Sequence, residues 1–274
     1  MVIIALFLVG LCFGSFINAL VWRVHQQSKA QSPKHKARYS ISRGRSVCVH
    51  CEHQLAATDL IPVLSWVLLR GRCRYCKKPI SAQYPLVELI TAGLFILSYV
   101  LWPEIQNGWE WAQFGAWLAL LVGLIALAVY DLKWMLLPNR ILYPLYVVGG
   151  IFVLTGLPLT DDALSYLANV VLSVAIGGGI FYLLFQLSKG KWIGGGDVKL
   201  GFLLGAVALK PLQTMLLLFL ASIFGLIFSL PLLTKNKKLK SVRIPFGPFL
   251  ILGAVVTVLF GQQIIDWYID LISI

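Results

Sequence analysis

Charge is scarce in this chain. Only 12% of its 274 residues are Asp, Glu, Lys or Arg, against roughly 25% in a soluble domain. With 59% hydrophobic residues, a water-soluble fold would have too little polar surface to cover its apolar side chains. Histidine is confined to His25, His35, His50 and His53, all in one basic segment, and no His-Glu-x-x-His pair is present to build a metalloprotease site. A P-loop and a Gly-x-Ser-x-Gly elbow are absent as well, which removes two common routes to nucleotide and serine chemistry. Alternating ten-residue strand patterns are missing, so nothing points to a membrane β-barrel.

What is present is apolar sequence in blocks near the ~20 residues that carry a helix across a bilayer. The blocks run at roughly 2–21, 85–101, 112–130, 141–157, 163–187, 198–209, 212–233 and 245–265. The expected fold is an all-α polytopic membrane protein with about eight transmembrane helices. The first block has no basic leading segment and no small-residue cleavage site, so it reads as a spanning helix and not as a removable signal. The sixth block is short, and a re-entrant segment there would change the topology after Asp197.

The net charge of +12 follows membrane topology and does not point to nucleic acid. Of the 23 lysines and arginines, only Lys210 lies in the connections 102–111, 158–162 and 210–211 or near the chain ends. The rest fall in 22–84, 131–140, 188–197 and 234–244 or at the adjoining helix edges. Basic residues accumulate in cytoplasmic loops, which places the 22–84 segment in the cytoplasm and both termini outside it. Three regions follow: a first transmembrane helix over 1–21, a cytoplasmic segment over 22–84, and a seven-helix membrane domain over 85–274. In the cytoplasmic segment, Gln26 to Arg45 is too polar to form a core and is expected to be flexible.

Four of the five cysteines form two knuckles, Cys48-x2-Cys51 and Cys73-x2-Cys76. Paired C-x2-C units bring four thiolates together tetrahedrally, which suits zinc. A cytoplasmic loop disfavours disulfides. Four sulfur ligands leave no position open for water, so the zinc would be structural. Cys12 sits inside the first helix, where it packs.

Acids within or at the ends of membrane helices are functional candidates by default. Glu88, Asp131 and Asp197 qualify. Asp131 ends the third block and Asp197 opens the sixth, so topology puts both at the cytoplasmic boundary. Two carboxyl groups sharing one proton can divide the work of hydrolysis: one activates water and the other polarises a carbonyl. A structural reading stands beside this one. Asp197 follows three glycines and suits a helix N-cap, Asp131 could rest in the headgroup zone near Lys133 and Arg140, and Glu88 reads as a first-turn residue suited to the helix dipole or as a group that supports a site from behind, with the first reading slightly favoured. Two further functions are open on these residues alone: a proton-coupled transporter using Asp131 and Asp197 as relay groups, and a membrane scaffold whose zinc loop binds a partner. A transporter would more often set its acids near mid-membrane.

Several stretches, in order, resemble one family. They are Phe13-Gly14-Ser15-Phe16-Ile17-Asn18, the knuckles with RGRCRYCKKPIS, YPLVELITA around Glu88, Asp131 followed by Leu137-Pro138, and Gly194-x-Gly196-Asp197 followed by Val198-Lys199. The chain is similar to the type IV prepilin peptidases (leader peptidase/N-methyltransferase), which belong with the Gly-x-Gly-Asp intramembrane aspartyl proteases. The resemblance implies a bacterial cytoplasmic (inner) membrane enzyme with Asp131 and Asp197 as the catalytic pair and zinc on the cysteines. It implies prepilin or pseudopilin precursors as substrates, cut on the cytoplasmic side before their apolar segment, typically after a glycine. It also implies S-adenosylmethionine as methyl donor for the new N-terminus. Residues binding that donor stay unassigned, with Gly14, Asn18 and Glu88 as candidates on resemblance alone. Tyr130 and Asn139 depart from the family pattern, and the stretch from Arg23 to Cys48 matches poorly. A basic leader would need local acids, for which Glu52 and Asp59 are candidates. The last 70 or so residues add only span count to the resemblance.

Overall fold

The computed structural model describes residues 1–30, 39–41, 44–102, 105, 107–235 and 244–272, with backbone only for 231–235. Residues 31–38 and 42–43 of the basic stretch, Glu104 and the cluster 236–243 lie outside the described residues. The described chain is helical. Its only β pairing is two isolated bridges, Val47 with Gln54 and Arg72 with Pro79. The helices are α1 (Val2–Lys29), α2 (Leu64–Leu68), α3 (Gln83–Leu101), α4 (Gly108–Trp134), α5 (Asn139–Gly156), α6 (Ala163–Ser188), α7 (Gly195–Ala208), α8 (Pro211–Lys235) and α9 (Gly247–Ile272). Seven of the described helices, all but α2 and α7, are long and apolar enough to cross a membrane. At about 1.5 Å per residue, the 14 residues of α7 reach only some 21 Å, short of a hydrocarbon core of about 30 Å. The chain divides into two compact units, Met1–Val100 and Leu101–Ile274.

In the first unit α1 runs well past the apolar block, to Lys29. The extension is held by its own polar side chains. Arg23 donates to the carbonyls of Ser40, Ile41 and Gly44 at 2.9–3.2 Å, and Gln27 donates to that of Tyr39 at 2.6 Å. The described ends of the stretch expected to be flexible are therefore tied to the helix. Farther up α1, Gly10 and Gly14 face α3. A Cβ on Gly10 would stand 2.6 Å from Cα of Ala92, and one on Gly14 would strike the backbone of Glu88. This small-x-x-x-small spacing lets the two helices touch backbone to backbone, as membrane helices do when packing replaces the hydrophobic drive.

The second unit is built around the short helix. Leu200, Leu203, Leu204, Val207 and Ala208 of α7 are almost completely buried, and α7 packs on α5, α6, α8 and α9. A segment too short to span is tolerated at membrane depth when protein surrounds it. Glycines bring α6 that close. A Cβ on Gly201 would lie 2.5 Å from the Gly177 carbonyl oxygen, and one on Gly205 2.5 Å from that of Ser173. At the far side Tyr146 donates to the Lys199 carbonyl at 2.6 Å, linking α5 to α7. Two helix starts follow sequence rules. Asn107 caps α4 in a capping box with Glu110, and the Asp162 carboxylate accepts from the N–H groups of Leu164 and Ser165 at 3.0 and 3.1 Å to cap α6.

Gly201→Ala should therefore overpack the α6–α7 crossing and cost about 1–3 kcal/mol. Gly179→Ala, where nothing lies within 4 Å of the added carbon, should leave stability unchanged. Thermal unfolding of the two detergent-solubilised variants checks the contrast.

Candidate active site and metal centre

Asp131 lies on the last turn of α4 and is buried, with 5% exposure. Its carbonyl accepts the N–H of Met135 at 2.8 Å, where the chain turns left-handed (φ 53°) and leaves the helix. Its side chain lies against the backbone of Gly247 at the start of α9. Asp197 is the third residue of α7. The N-cap is Gly194, so the expected N-cap role falls to the glycine. The Asp197 carboxyl still lies close to that helix end, where an added Cβ on Gly194 would stand 3.3 Å from its Oδ2. The two carboxyl groups, one on α4 and one on α7, stand within electrostatic reach of each other.

Leu137 joins the two helix starts. The Cβ positions of Gly196 and Gly247 would lie 3.1 Å and 3.5 Å from its side chain, respectively. Gly247 is tighter still on its other side, where an added Cβ would sit 2.6 Å from Oδ2 of Asp131. Sequence reasoning missed Gly247 and treated this region as span count only. A signal was there in Pro245-Phe246-Gly247-Pro248. Proline has no N–H, so Pro248 offers no donor, and Phe249 and Leu250 give theirs to the Phe246 carbonyl at 3.0 and 3.1 Å. That leaves the Gly247 N–H as the first-turn donor for a carboxylate.

The four cysteines meet. Their sulfur atoms all lie within 4.8 Å of one another, with Cys48 and Cys76 at 3.9 Å. Zinc–sulfur bonds of about 2.3 Å in a tetrahedron give sulfur–sulfur edges near 3.8 Å, so the cluster fits such an ion. The two knuckles are built alike. Cys48 donates its N–H to the His53 carbonyl and Cys73 to that of Lys78, both at 2.9 Å. Each knuckle turns through one left-handed residue, Glu52 (φ 56°) and Lys77 (φ 58°), directly after its second cysteine. The repeated cysteine spacing thus carries a repeated local fold. Burial pushes the Cys48 thiol above its ordinary range. Burial acts the same way on Cys73, but N–H donors from Cys76 and Tyr75 and the thiols of Cys48 and Cys76 outweigh it and bring that thiol down to about 7. Thiolate is the form a metal binds.

The remaining candidates hold the first unit together. Glu88 is the sixth residue of α3, beyond its first turn, so the expected first-turn role is replaced. Its buried carboxylate accepts the Val63 N–H at 2.7 Å and a hydrogen bond from Ser15. Asn18 donates to the carbonyls of Gly14 and Tyr84 at 3.2 and 3.1 Å and accepts from Gln83 at 3.2 Å. Asp59 pairs with Nε of Arg74 at 2.7 Å, with its own side chain 3% exposed. It also accepts from Tyr75 and from the Ala56 N–H. Burial pulls its acidity the other way, yet these donors hold its carboxyl below the ordinary range. With its charge neutralised inside the loop, Asp59 has little left to attract a basic leader.

Comparison with known proteins adds an independent line. Residues 8–102 match the model of the bacterial peptidase A24 N-terminal domain, and residues 118–230 match that of the type IV leader peptidase family. A prepilin leader peptidase/N-methyltransferase of Aeromonas salmonicida is 36% identical over 286 residues, which cover 97% of this chain and 93% of that protein. One of the same name from Aeromonas hydrophila is 35% identical, over 96% and 92%. A type 4 prepilin-like proteins leader peptide-processing enzyme of Escherichia coli is 35% identical, over 91% and 90%. No solved structure matches.

The cysteine cluster makes its own forecast. Protein purified with zinc should carry about one ion per chain, as expected for a four-thiolate site. Cys73→Ser should lose most of it, and Cys12→Ser, remote from the cluster in sequence, should keep it. Metal analysis of the three preparations tests this.

Proposed function

The chain belongs to the type IV leader peptidase family, and on that premise we propose that it removes the leader peptides of prepilin or pseudopilin precursors at the cytoplasmic face of the bacterial inner membrane. Asp131 and Asp197 form the catalytic pair in this reading. The observation that supports it is that Asp131, in the last turn of α4, and Asp197, in the first turn of α7, lie within electrostatic reach of each other. One carboxylate takes a proton from water as the water oxygen attacks the scissile carbonyl carbon, and the other, protonated, donates to the carbonyl oxygen; the first then gives its proton to the amine nitrogen as the C–N bond breaks, and the second recovers a proton from the hydroxyl that becomes the new carboxyl group. No serine or cysteine nucleophile is needed. A membrane enzyme holds the substrate's apolar helix laterally in lipid, so the leader junction comes to rest at the boundary where the pair lies. The transporter alternative draws no support from the family match.

The same protein methylates the newly exposed N-terminus. S-adenosylmethionine supplies the methyl group when bound, and the chain provides a membrane-boundary surface on which the cleaved N-terminus is already held. Zinc on Cys48, Cys51, Cys73 and Cys76 organises the 22–84 segment, which has too small a core to order itself. The 85–274 region forms the proteolytic membrane domain.

Purified protein incubated with a prepilin in detergent, with labelled S-adenosylmethionine, tests the reading. Asp131→Ala and Asp197→Ala should each abolish cleavage, and retained cleavage in either would remove the pair. Cleaved product that never takes up label would remove the second activity.

A separate expectation concerns Gly247. Its added Cβ would force the Asp131 carboxylate aside, and misplacement by about 1 Å costs on the order of 100-fold in rate. Gly247→Ala should therefore lower kcat by one to two orders of magnitude with KM little changed. Gly225→Ala, which makes only ordinary contacts to Phe246 and Phe249, should behave as the unmodified enzyme.

A further inference from the structure

Between the two knuckles lies a segment whose apolar side chains face outward. Leu60, Ile61, Leu64, Val67 and Leu68 are 39–72% exposed. Leu64, Val67 and Leu68 stand at i, i+3 and i+4, one face of the short helix α2. The opposite face is fixed. Trp66 donates its indole N–H to the Ile80 carbonyl at 3.1 Å, and its ring covers Gly71. Backbone bonds lock the helix end, with the Gly71 N–H on the Trp66 carbonyl at 2.8 Å and the Arg70 N–H on that of Val67 at 3.0 Å. The outward stripe is therefore a built feature and not a frayed loop.

Two observations say what covers it. The first is depth. Glu88 belongs to the spanning helix α3, in its second turn, and it holds the Val63 N–H at the very start of α2. That bond ties α2 to the level of the membrane boundary. The second is charge. From Leu60 to Val87 the sequence has no acid and five cations, Arg70, Arg72, Arg74, Lys77 and Lys78. Arg74 is taken up by Asp59, while Arg70, Arg72, Lys77 and Lys78 are exposed. An apolar stripe bordered by cations beside a spanning helix is the composition of an interfacial segment on an anionic bilayer surface.

We propose that α2 and the residues before it lie in the cytoplasmic leaflet of the membrane, with Leu64, Val67 and Leu68 among the upper acyl chains and the neighbouring cations on anionic headgroups. The metal loop is then anchored at two points, by Glu88 from within the span and by lipid from outside. This goes beyond the proteolytic reading and does not depend on it.

The test uses the full chain in vesicles of phosphatidylethanolamine and phosphatidylglycerol. Leu64, Val67 or Leu68 is replaced one at a time by the photocrosslinker p-benzoylphenylalanine, and adducts are identified by mass. The expected result is a phospholipid adduct at each position, with a yield several-fold lower in purely zwitterionic vesicles. Adducts joining these positions to other parts of the same chain, to an added prepilin, or to nothing at all would overturn the proposal. So would lipid adducts indifferent to headgroup charge in the unmodified background and in Arg70→Gln/Lys78→Gln alike. Prepilin cleavage measured on the same vesicles reports the proteolytic reading separately.

Discussion

A carboxyl group placed in a membrane helix must find its hydrogen bonds in the protein, because the lipid offers none. This chain answers that constraint three times in one way. Asp131 lies against Gly247 at the start of α9, Asp197 against Gly194 at the start of α7, and Glu88 accepts the N–H of Val63 at the start of α2. Helix starts have backbone N–H groups without intrahelical partners and carry the positive end of the macrodipole. Each acid thus faces a helix start and its favourable field, and none of the three is in a salt bridge among the described residues. For the aspartates this matters chemically. A lysine or arginine partner would lock a carboxylate in its charged form, whereas a helix start leaves it free to exchange a proton.

Glycine makes that arrangement possible at both aspartates. A helix start can approach a carboxylate only if no Cβ intervenes, and at Gly247 one would stand 2.6 Å from the Asp131 oxygen. Gly196 and Gly247 leave room on either side for Leu137, which spaces the start of α7 from that of α9. The glycines of the α6–α7 crossing do a related job deeper in the unit. By letting α6 touch α7 along its backbone, they give a helix too short to span a full set of protein neighbours. The short sixth block and the position of Asp197 are thus two sides of one packing solution.

How much of this was legible in the sequence depends on how local each signal is. The spans were readable because about 20 apolar residues admit one reading, and helix bounds fell within a few residues of the apolar blocks except at α1 and α9. Those two run on past their apolar blocks, as α1 does because Arg23 and Gln27 bond to carbonyls 12 to 21 residues ahead, a relation no periodicity reveals. The cysteine cluster was readable from spacing alone, since a knuckle is a closed local turn. The two aspartates stood out by their cost in a membrane. The neighbour of Asp131 did not, because it is a glycine backbone more than a hundred residues away, in a segment that looks like any other span. Glu88 was misjudged for the same reason: its partner belongs to a loop whose path the sequence leaves open.

The metal loop brings these threads to the substrate side. Its described acids are few, and Asp59 is already paired with Arg74 and Tyr75, which weakens its pull on a basic leader. A strongly basic surface repels a basic leader in water, but it binds anionic headgroups well. If the loop lies on lipid, its cations face phosphate and their field is screened from the leader. The leader then needs no acidic receptor, since its apolar helix enters laterally and delivers the junction to the aspartates. Recognition in this arrangement comes from the depth at which two carboxyl groups wait, and that depth is set by where α4 ends and α7 begins.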